Sequence, residues 1–419
     1  MFIYTVKQGD SLFSISSKYN IALDTLRQAN GLVETNIVQG QALLIPIYTY
    51  IVQPGDSIYS IAQMAYVSVD QLTAANPSIN PNALQPGNRI TIPDISNYTA
   101  STLGYYVVRS PQLDQAVIND FAPYLTYLSL FEYHIYNNGS LSDLNDSLAI
   151  ETIWSRRVTP LATITNLTET GFSPQLVSQV LNNPATRQTL INNISYLLTI
   201  KGYGGANIDF ENVLEPDRNL LSGFLTELKQ RLAPANQLLT IAVPPKTSED
   251  IPWLQGYDYG AIGSVVDLMF IMAYDWHHGA SEPGPVAPIN EVRNTIQYAL
   301  NQMPREKILL GVPLYGYNWT LPYQPGTVAP GISNLEATRL AMRYQSPIQY
   351  SEEYQSPFFE YVDDQGQRHI VWFEDARSIA RKMLLVREYR LEGLGAWQLT
   401  LGFPQGSYLL TKFFRIRKV

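Results

Sequence analysis

The sequence contains no cysteine, few charged residues and no long apolar run. Without Cys, neither disulfides nor thiolate chemistry is available to the chain. Its four His residues show no HExxH or similar ligand spacing, so we expect no metal site and no cofactor. No stretch approaches the roughly 20 apolar residues of a membrane span. Because Lys7 and Asp10 interrupt the N-terminus before a signal-peptide core can form, we expect a soluble protein without a cleavable export signal.

The excess charge is negative. Charged residues make up 15% of the chain, against roughly 25% in typical soluble domains, and the formal net charge is −8. No basic stripe exists, which argues against nucleic acid and anionic membrane surfaces as partners. Uncharged polar residues and aromatics, including 28 Tyr, replace the missing charges. Such a surface suits neutral polar ligands such as sugars, although ordinary variation in composition is the alternative explanation.

The N-terminal region contains an internal repeat. The segment YTVKQGDSLFSI, from Tyr4, is matched by YIVQPGDSIYSI, from Tyr50, and both units close on an IP dipeptide. Within each unit we predict a strand, a GDS turn, a helix, an Asn-headed loop, a second helix and a short strand. The predicted boundaries are residues 1–47 for module 1 and residues 48–94 for module 2.

These units resemble LysM modules, and the resemblance implies a βααβ fold that binds N-acetylglucosamine-containing glycans such as peptidoglycan or chitin. In that family, the loop after the first strand and the loop between the second helix and second strand line the groove. The implied loops are residues 9–12 with 30–32, and residues 55–58 with 76–79. The predicted glycan-binding residues are Gly9, Asp10, Ser11, Leu12 and Asn30 in module 1, and Gly55, Asp56, Ser57, Ile58 and Asn76 in module 2. Alternatively, the two Asp side chains only cap turns.

After a short polar segment, residues 95–103, that we predict to be a linker, apolar runs alternate with amphipathic helical stretches. Eight β-then-α units predict an α/β fold, a (β/α)8 TIM barrel over residues 104–419. A long seventh connection predicts a small inserted subdomain at about residues 320–372, with a hairpin turning at residues 364–366. The predicted barrel strands are Gly104–Val108, Tyr124–Phe131, Val158–Thr163, Ala206–Phe210, Leu238–Val243, Leu268–Tyr274, Ile308–Tyr315 and Gly393–Leu399.

The fourth of these strands lies in GYGGANIDFENV and carries polar residues at every second position. Side chains of a barrel strand alternate between lumen and helix layer, so Asn207, Asp209 and Glu211 are expected inside, with Ile208 and Phe210 against the helices. Cα atoms two residues apart are roughly 6.6 Å apart, so the carboxyls approach each other. One is then expected to stay protonated near neutral pH, as a general acid requires. Alternatively, backbone amides or an Arg satisfy a purely structural pair.

Three motifs resemble those of family 18 glycoside hydrolases. The stretch GGANIDFEN resembles the family's catalytic strand, and Asp209 and Glu211 match its last two carboxylates. MAYDW, at the end of the sixth predicted strand, resembles the family's Met-x-Tyr-Asp motif, and GAWQL at the end of the eighth aligns Trp397 with the sugar-platform Trp. Gly204 and Ala206 depart from the pattern, and LATITN replaces the third-strand Ser-x-Gly-Gly, so we expect subsites that differ from those of chitinases.

The resemblance implies a retaining, substrate-assisted reaction at an N-acetylglucosaminidic bond, in which the substrate's own N-acetyl carbonyl attacks the anomeric carbon. Glu211 would serve as acid and base, Asp209 would orient the acetamido group, and Tyr274 would bond its oxygen. Asn207 would position Asp209, and Asp275 would contact a sugar hydroxyl or Glu211. Further predicted substrate contacts are Trp397, Met272, Tyr106, Glu132 and Tyr315. For the last four, packing or an ion pair is the alternative.

Two LysM-like units before such a barrel resemble the architecture of the bacterial spore-germination enzymes that hydrolyse cortex fragments as N-acetylglucosaminidases. That resemblance implies spore-cortex peptidoglycan as the substrate and the coat or cortex region of the spore as the location. We expect a monomer. Two alternatives remain open: a LysM-targeted chitinase or chitooligosaccharidase, and a non-catalytic glycan-binding protein.

Overall fold

The computed structural model describes residues 1–418 and contains a closed barrel of eight parallel strands, which confirms the predicted fold. The eighth strand pairs in parallel with the first, and this pairing closes the sheet. A short strand, Phe414–Ile416, pairs with the beginning of the first strand. In chain order the barrel strands are Tyr98–Val107, Tyr127–His134, Thr159–Thr165, Gly205–Asp209, Leu238–Val243, Leu268–Ile271, Ile308–Pro313 and Gly393–Trp397.

Helices cover the outside of the barrel and bury one apolar side. In the helix Arg218–Leu232, Leu221, Phe224, Leu225 and Leu228 are buried, with the spacing of one helical face. The segment before the fourth strand forms two helices, because Asn183 caps a second helix that begins at Pro184. The helices of this layer are Pro111–Phe121, Ser147–Ser155, Pro174–Asn182, Pro184–Lys201, Arg218–Leu232, Tyr259–Val265, Ile289–Gln302, Ala376–Tyr389 and Gln405–Phe413.

The predicted linker is corrected by the structure. The first barrel strand begins at Tyr98, so most of residues 95–103 belongs to the barrel. Their polar side chains are satisfied inside it: Thr102 Oγ1 donates to the Tyr124 carbonyl at 2.7 Å, and Ser101 bonds to Glu392. The polar composition of this segment predicted a linker. The sequence does not show that these hydroxyls form hydrogen bonds within the barrel.

The insertion begins at Tyr315, immediately after the seventh barrel strand, and contains a five-stranded antiparallel sheet rather than a lone hairpin. The predicted turn at residues 364–366 is confirmed, since Gly366 adopts a φ of +79° between two paired strands. The sheet covers a small apolar core of its own. Its strands are Tyr315–Leu321, Gly331–Ser333, Gln349–Ser351, Ser356–Val362 and Arg368–Trp372, and its helix is Asn334–Arg343.

The two N-terminal modules have the predicted βααβ fold. In each, two short strands pair in antiparallel fashion around two helices. Ser11 and Ser57 cap the first helix of their modules, and each forms a reciprocal capping box with a Ser three residues later. Module 1 contains Phe2–Thr5, Leu12–Tyr19, Leu23–Ala29 and Ala42–Ile45, and module 2 contains Thr49–Ile51, Ile58–Ala65, Val69–Ala74 and Arg89–Thr91.

Candidate active site

The fourth barrel strand directs its polar side chains into the barrel. Phe210, just past its end, stacks on Phe224 of the following helix with ring centroids 5.8 Å apart. Asp209 and Glu211, of opposite parity, line a cavity at the carboxyl ends of the strands, where barrel active sites are found. The predicted alternation along this strand is confirmed.

The cavity has a volume of about 680 Å³, enough for a small oligosaccharide segment. Its walls come from the ends of several barrel strands, from the insertion, and from a short hairpin, Leu167–Thr168 with Gly171–Phe172, after the third strand. Many of the other lining residues are aromatic or polar, and they include Tyr105, Phe131, Asn212, Tyr274, Asp275, Tyr315 and Trp397. Met272 also lines the cavity.

Asp209 is 4% exposed, and its Oδ1 has no hydrogen-bond partner among residues 1–418. Burial, together with the nearby negative charge of Glu132, raises the pKa of Asp209 to about 7. An unpaired carboxylate oxygen at the bottom of a cavity costs free energy until a donor reaches it. The site therefore offers an acceptor to a ligand N–H or O–H.

The backbone of Glu211 is held by a side chain that the sequence analysis did not single out. Asn166 follows the third strand, and its Oδ1 accepts the Glu211 N–H at 2.9 Å. The Asn166 amide donates to the Glu211 carbonyl, also at 2.9 Å. Burial and the negative charges of Asp209 and Asp275 raise the pKa of Glu211 well above its ordinary value. The backbone of Glu211 is thus fixed, and its surroundings favour the protonated form of its carboxyl.

Asp275 connects the catalytic end of the barrel to the insertion. Its Oδ1 accepts the hydroxyl of Tyr315 at 2.8 Å and that of Tyr317 at 3.1 Å. Burial raises the pKa of Asp275, and the two hydroxyls oppose that rise. Tyr274, its neighbour, lines the cavity with its ring 6.1 Å from that of Tyr315. The insertion thereby positions the end of the MAYDW motif.

Trp397 lies in an aromatic cluster beside the carboxylates. Its ring centroid is 4.8 Å from that of Phe131 and 5.5 Å from that of Tyr105. The Tyr105 hydroxyl donates to Asn207 Oδ1 at 3.0 Å, and the Asn207 amide donates to Thr240 Oγ1 at 2.8 Å. Rings of this kind pack against the apolar face of a sugar.

A comparison with protein-family models matches residues 112–402 to "Glycosyl hydrolases family 18". The chain belongs to glycosyl hydrolase family 18. The LysM domain model matches residues 4–46 and 50–93, so both N-terminal modules are LysM domains. With the cavity and its carboxylates, this identifies the barrel as that of a glycoside hydrolase.

Some relatives match the chain over its whole length. The Bacillus subtilis protein named "Putative sporulation-specific glycosylase YdhD" is 63% identical, with 100% of both chains covered. The B. subtilis cortical fragment-lytic enzyme is 40% identical over 100% of this chain and 99% of its own. The crystal structure of the Bacillus cereus spore cortex-lytic enzyme SleL superposes with a TM-score of 0.89 at 34% identity, over 99% of each chain.

Two expectations about the family 18 site are wrong in detail. Tyr106 does not line the cavity: it is fully buried, and its hydroxyl donates to Asp114 of the outer helix at 2.6 Å. Its neighbour Tyr105 has the inward parity and lines the cavity instead. Asn207 contacts Tyr105 rather than Asp209, because its amide is occupied by hydrogen bonds across the barrel.

Glu132 lies at the end of the second strand but is not among the cavity-lining residues. Its Oε1 is 3.5 Å from His134 Nε2, and its Oε2 is buried without a partner in residues 1–418. Burial raises the pKa of Glu132. Its effect on the site is electrostatic, through Asp209, and a direct sugar contact stays a prediction.

Other wall residues carried no recognised sequence signal. Tyr257 lines the cavity, and its hydroxyl donates to the Phe210 carbonyl at 2.8 Å, bracing the turn that carries Glu211. Trp253 stands at the rim and is 75% exposed. Both lie in the segment that follows the fifth strand. The sequence alone does not distinguish aromatic residues that line a cavity from aromatic residues that pack in the core.

The polar residues predicted to bind glycan in the LysM domains are engaged internally. Asp10 accepts the Tyr4 hydroxyl at 2.6 Å, and Asp56 accepts the Tyr50 hydroxyl at 2.7 Å, so both stabilise the turn after the first strand. Leu12 is buried in the core, whereas Gly9, Gly55 and Ser57 are exposed. Ile58 is half-buried, and Ser11 is an exposed helix cap.

Asn30 and Asn76 are buried and hold their modules together. The Asn30 side chain bonds to the backbone of Leu26 and Leu44, and Asn76 bonds in the same way to Leu72 and Thr91. These bonds close the loop onto the second strand, which explains the Asn in both repeats. The structure therefore gives both Asn side chains a structural role and does not expose them for contact with a sugar.

Within residues 1–418, no three His, Asp or Glu side chains are grouped in a way that could hold a metal ion. Over the same part of the chain, no helix combines the length and apolar character needed to cross a membrane.

Proposed function

We propose that the chain is a retaining, substrate-assisted N-acetylglucosaminidase that hydrolyses peptidoglycan fragments of the bacterial spore cortex. The observation that carries the proposal is the pair of carboxylates, the buried Asp209 and the half-buried Glu211, in a cavity that Tyr274 and Trp397 also line. The two carboxyls are suited to different roles, because burial and nearby negative charges raise the pKa of Glu211 well above its ordinary value and favour its protonated form, whereas the pKa of Asp209 is about 7.

The proposed first step breaks the glycosidic bond. Glu211 gives its proton to the leaving oxygen, the C1–O bond breaks, and the acetamido oxygen of the same sugar forms a bond to C1. The product is an oxazolinium ion, whose positive charge is stabilised by the carboxylate of Asp209. In the second step water attacks C1, Glu211 takes its proton, and the C1–acetamido bond breaks. The acetamido oxygen attacks C1 from the face opposite the leaving oxygen, and water then attacks from the face opposite the acetamido oxygen. Each step inverts C1, so the product retains the configuration of the substrate.

The position of Asp209 favours this route over attack by an enzyme nucleophile. A nucleophilic mechanism places its two carboxyls about 5–5.5 Å apart on opposite sides of the bond that breaks. Asp209 instead ends the fourth strand and Glu211 follows two residues later, so both come from one wall of the barrel. The unpaired Oδ1 of Asp209 suits a hydrogen bond from the acetamido N–H. Tyr274 lines the same cavity and is the proposed donor to the acetamido oxygen.

The substrate and the location are proposed from the relatives. Proteins described as cortical fragment-lytic and spore cortex-lytic enzymes match this chain from end to end, LysM domains included. The LysM domains support an N-acetylglucosamine-containing polymer as the partner. We therefore propose that the enzyme acts on cortex fragments at the spore, and a monomeric state stays a prediction.

Product analysis tests this function. Purified spore cortex, solubilised to fragments, is incubated with the wild-type chain and with Glu211→Gln, and the products are reduced and identified by mass spectrometry. We expect N-acetylglucosamine at the new reducing ends with the wild type, and at least a 10²-fold lower rate with Glu211→Gln. Because the proposed mechanism retains the configuration at C1, NMR of early products from a β-linked substrate is expected to show the β-anomer first.

Three results would contradict the proposal. Turnover of chitin oligomers without turnover of cortex fragments would make the chain a chitooligosaccharidase. Binding of fragments without new reducing ends would make it a glycan-binding protein. An unchanged rate with Glu211→Gln would remove Glu211 from the mechanism.

A further inference from the structure

The second glycan loop of LysM module 1, residues 30–32, is covered by the barrel. A side chain at Gly31 would begin 2.5 Å from the ring of Pro404, which precedes the C-terminal barrel helix. Gln405, from the same helix, donates to Asn30 Oδ1 at 2.8 Å and to the Ala42 carbonyl at 3.1 Å. A sugar cannot occupy this loop while the helix lies on it.

Module 1 is also built into the inserted subdomain. Val38 is 4% exposed and belongs to the small core of the insertion, with Phe359 and Ile348. The Ile348 N–H donates to the Gln39 carbonyl at 2.9 Å, and Gly40 packs directly on the Ile348 backbone. Ile348 immediately precedes Gln349–Ser351, the edge strand of the sheet that carries Tyr315.

The equivalent loop of module 2, residues 76–79, is open. Pro77 and Ser78 are exposed at the positions where module 1 has Gly31 and the buried Leu32. Module 2 meets the barrel elsewhere, near the end of its first helix, where the Tyr66 ring packs edge-on against a ring of the C-terminal helix.

The chemistry of the open loops suits an uncharged glycan. The segment NPSINPNALQPGN, residues 76–88, contains amides and a hydroxyl but no charged side chain. Tyr59, which follows the first loop of module 2, is 63% exposed, and a free aromatic ring of this kind can cover the apolar face of a sugar. Phe13 is its counterpart in module 1 and is 71% exposed, but the loop facing its groove is blocked.

We propose that the two LysM domains are not equivalent: module 2 captures the N-acetylated glycan strand, and module 1 is a docked part of the catalytic unit. The identity of the glycan rests on the proposed function. The division of roles rests on the packing of Gly31, Val38 and Gln405. If module 2 is the one site that binds glycan, its position relative to the barrel would also determine where the bound glycan lies relative to the cavity.

Matched substitutions in the two modules test this division. In the full chain carrying Glu211→Gln, Tyr59→Ala and Ser78→Trp are compared with Phe13→Ala, and retention on insoluble cortex peptidoglycan is measured by sedimentation. We expect each module 2 variant to weaken binding about tenfold, and Phe13→Ala to change it less than twofold. Circular dichroism checks that the three variants stay folded.

A loss in either module 2 variant, with Phe13→Ala unchanged, supports the proposal. A comparable loss in Phe13→Ala would show that module 1 also captures glycan, and unchanged binding in all three variants would show that neither predicted face does; both results overturn it. The assay involves no turnover, so it stands apart from the product analysis. Failure of hydrolysis and failure of module-specific capture are therefore seen separately.

Discussion

Asp209 and Glu211 form a pair in which each carboxylate alters the protonation of the other. Burial raises the pKa of both, and the negative charge of Asp209 further disfavours ionisation of Glu211. The proposed reaction requires Asp209 charged and Glu211 protonated. We therefore expect kcat/KM to fall on the acidic side as Asp209 gains a proton, and on the alkaline side as Glu211 loses one.

Glu132 is predicted to set the acidic limb of this profile. Its negative charge contributes to raising the pKa of Asp209 to about 7, so Glu132→Gln lowers that pKa. The acidic limb of kcat/KM should then move to lower pH by about half a unit or more. The measurement is a pH profile on soluble cortex fragments.

The exposed Glu151 provides the control for this experiment, since Glu151→Gln removes a charge away from the cavity and should leave the profile in place. A limb that stays at the same pH in Glu132→Gln would show that Glu132 does not influence the catalytic pair.

At the scale of elements, the end of the third strand supports the end of the fourth. Asn166 is fully buried, and its side chain pairs with both backbone groups of Glu211. Asn166→Ala leaves those groups unpaired, so we expect a loss of about 1–3 kcal/mol in the free energy of unfolding. Because Asn166 is not a cavity-lining residue, kcat should fall about tenfold or more while KM changes little.

Asn192→Ala, on an exposed helix position, is the matched control for the kinetic and urea-unfolding measurements. If Asn166→Ala raised KM with kcat unchanged, the residue would act on substrate binding rather than on the position of Glu211.

The sequence predicted which side chains of a strand point into the barrel only where polar residues recur at every second position. The alternation from Asn207 to Glu211 correctly placed Asp209 and Glu211 at the cavity. In the first strand, Tyr105 and Tyr106 are adjacent and chemically alike, so the pattern favoured neither. Only the pairing of that strand with its neighbours decides which ring points inward.

At the scale of the whole molecule, module 1 contributes Val38 to the apolar core of the insertion. Val38→Ala removes two buried methyl groups from the shared core, and we expect the free energy of unfolding to fall by about 2 kcal/mol. Because the insertion holds Asp275 through Tyr315 and Tyr317, activity on small soluble fragments should also fall. Urea unfolding and initial rates measure the two effects.

Val33→Ala is the control, since Val33 belongs to the same module but is 70% exposed. Equal stability of Val38→Ala and the wild type would show that the contact between module 1 and the insertion carries no free energy.

The sequence by itself determined the repeat, the order of strands and helices, and the carboxylate pair, because each depends on local spacing along the chain. The tertiary structure alone decided that Asn166 holds Glu211, that Tyr315 and Tyr317 bond to Asp275, and that Gly31 lies under Pro404. Those contacts join segments distant in sequence, and their energies depend on burial and geometry that no local pattern encodes. For that reason two related repeats have different surroundings in one molecule.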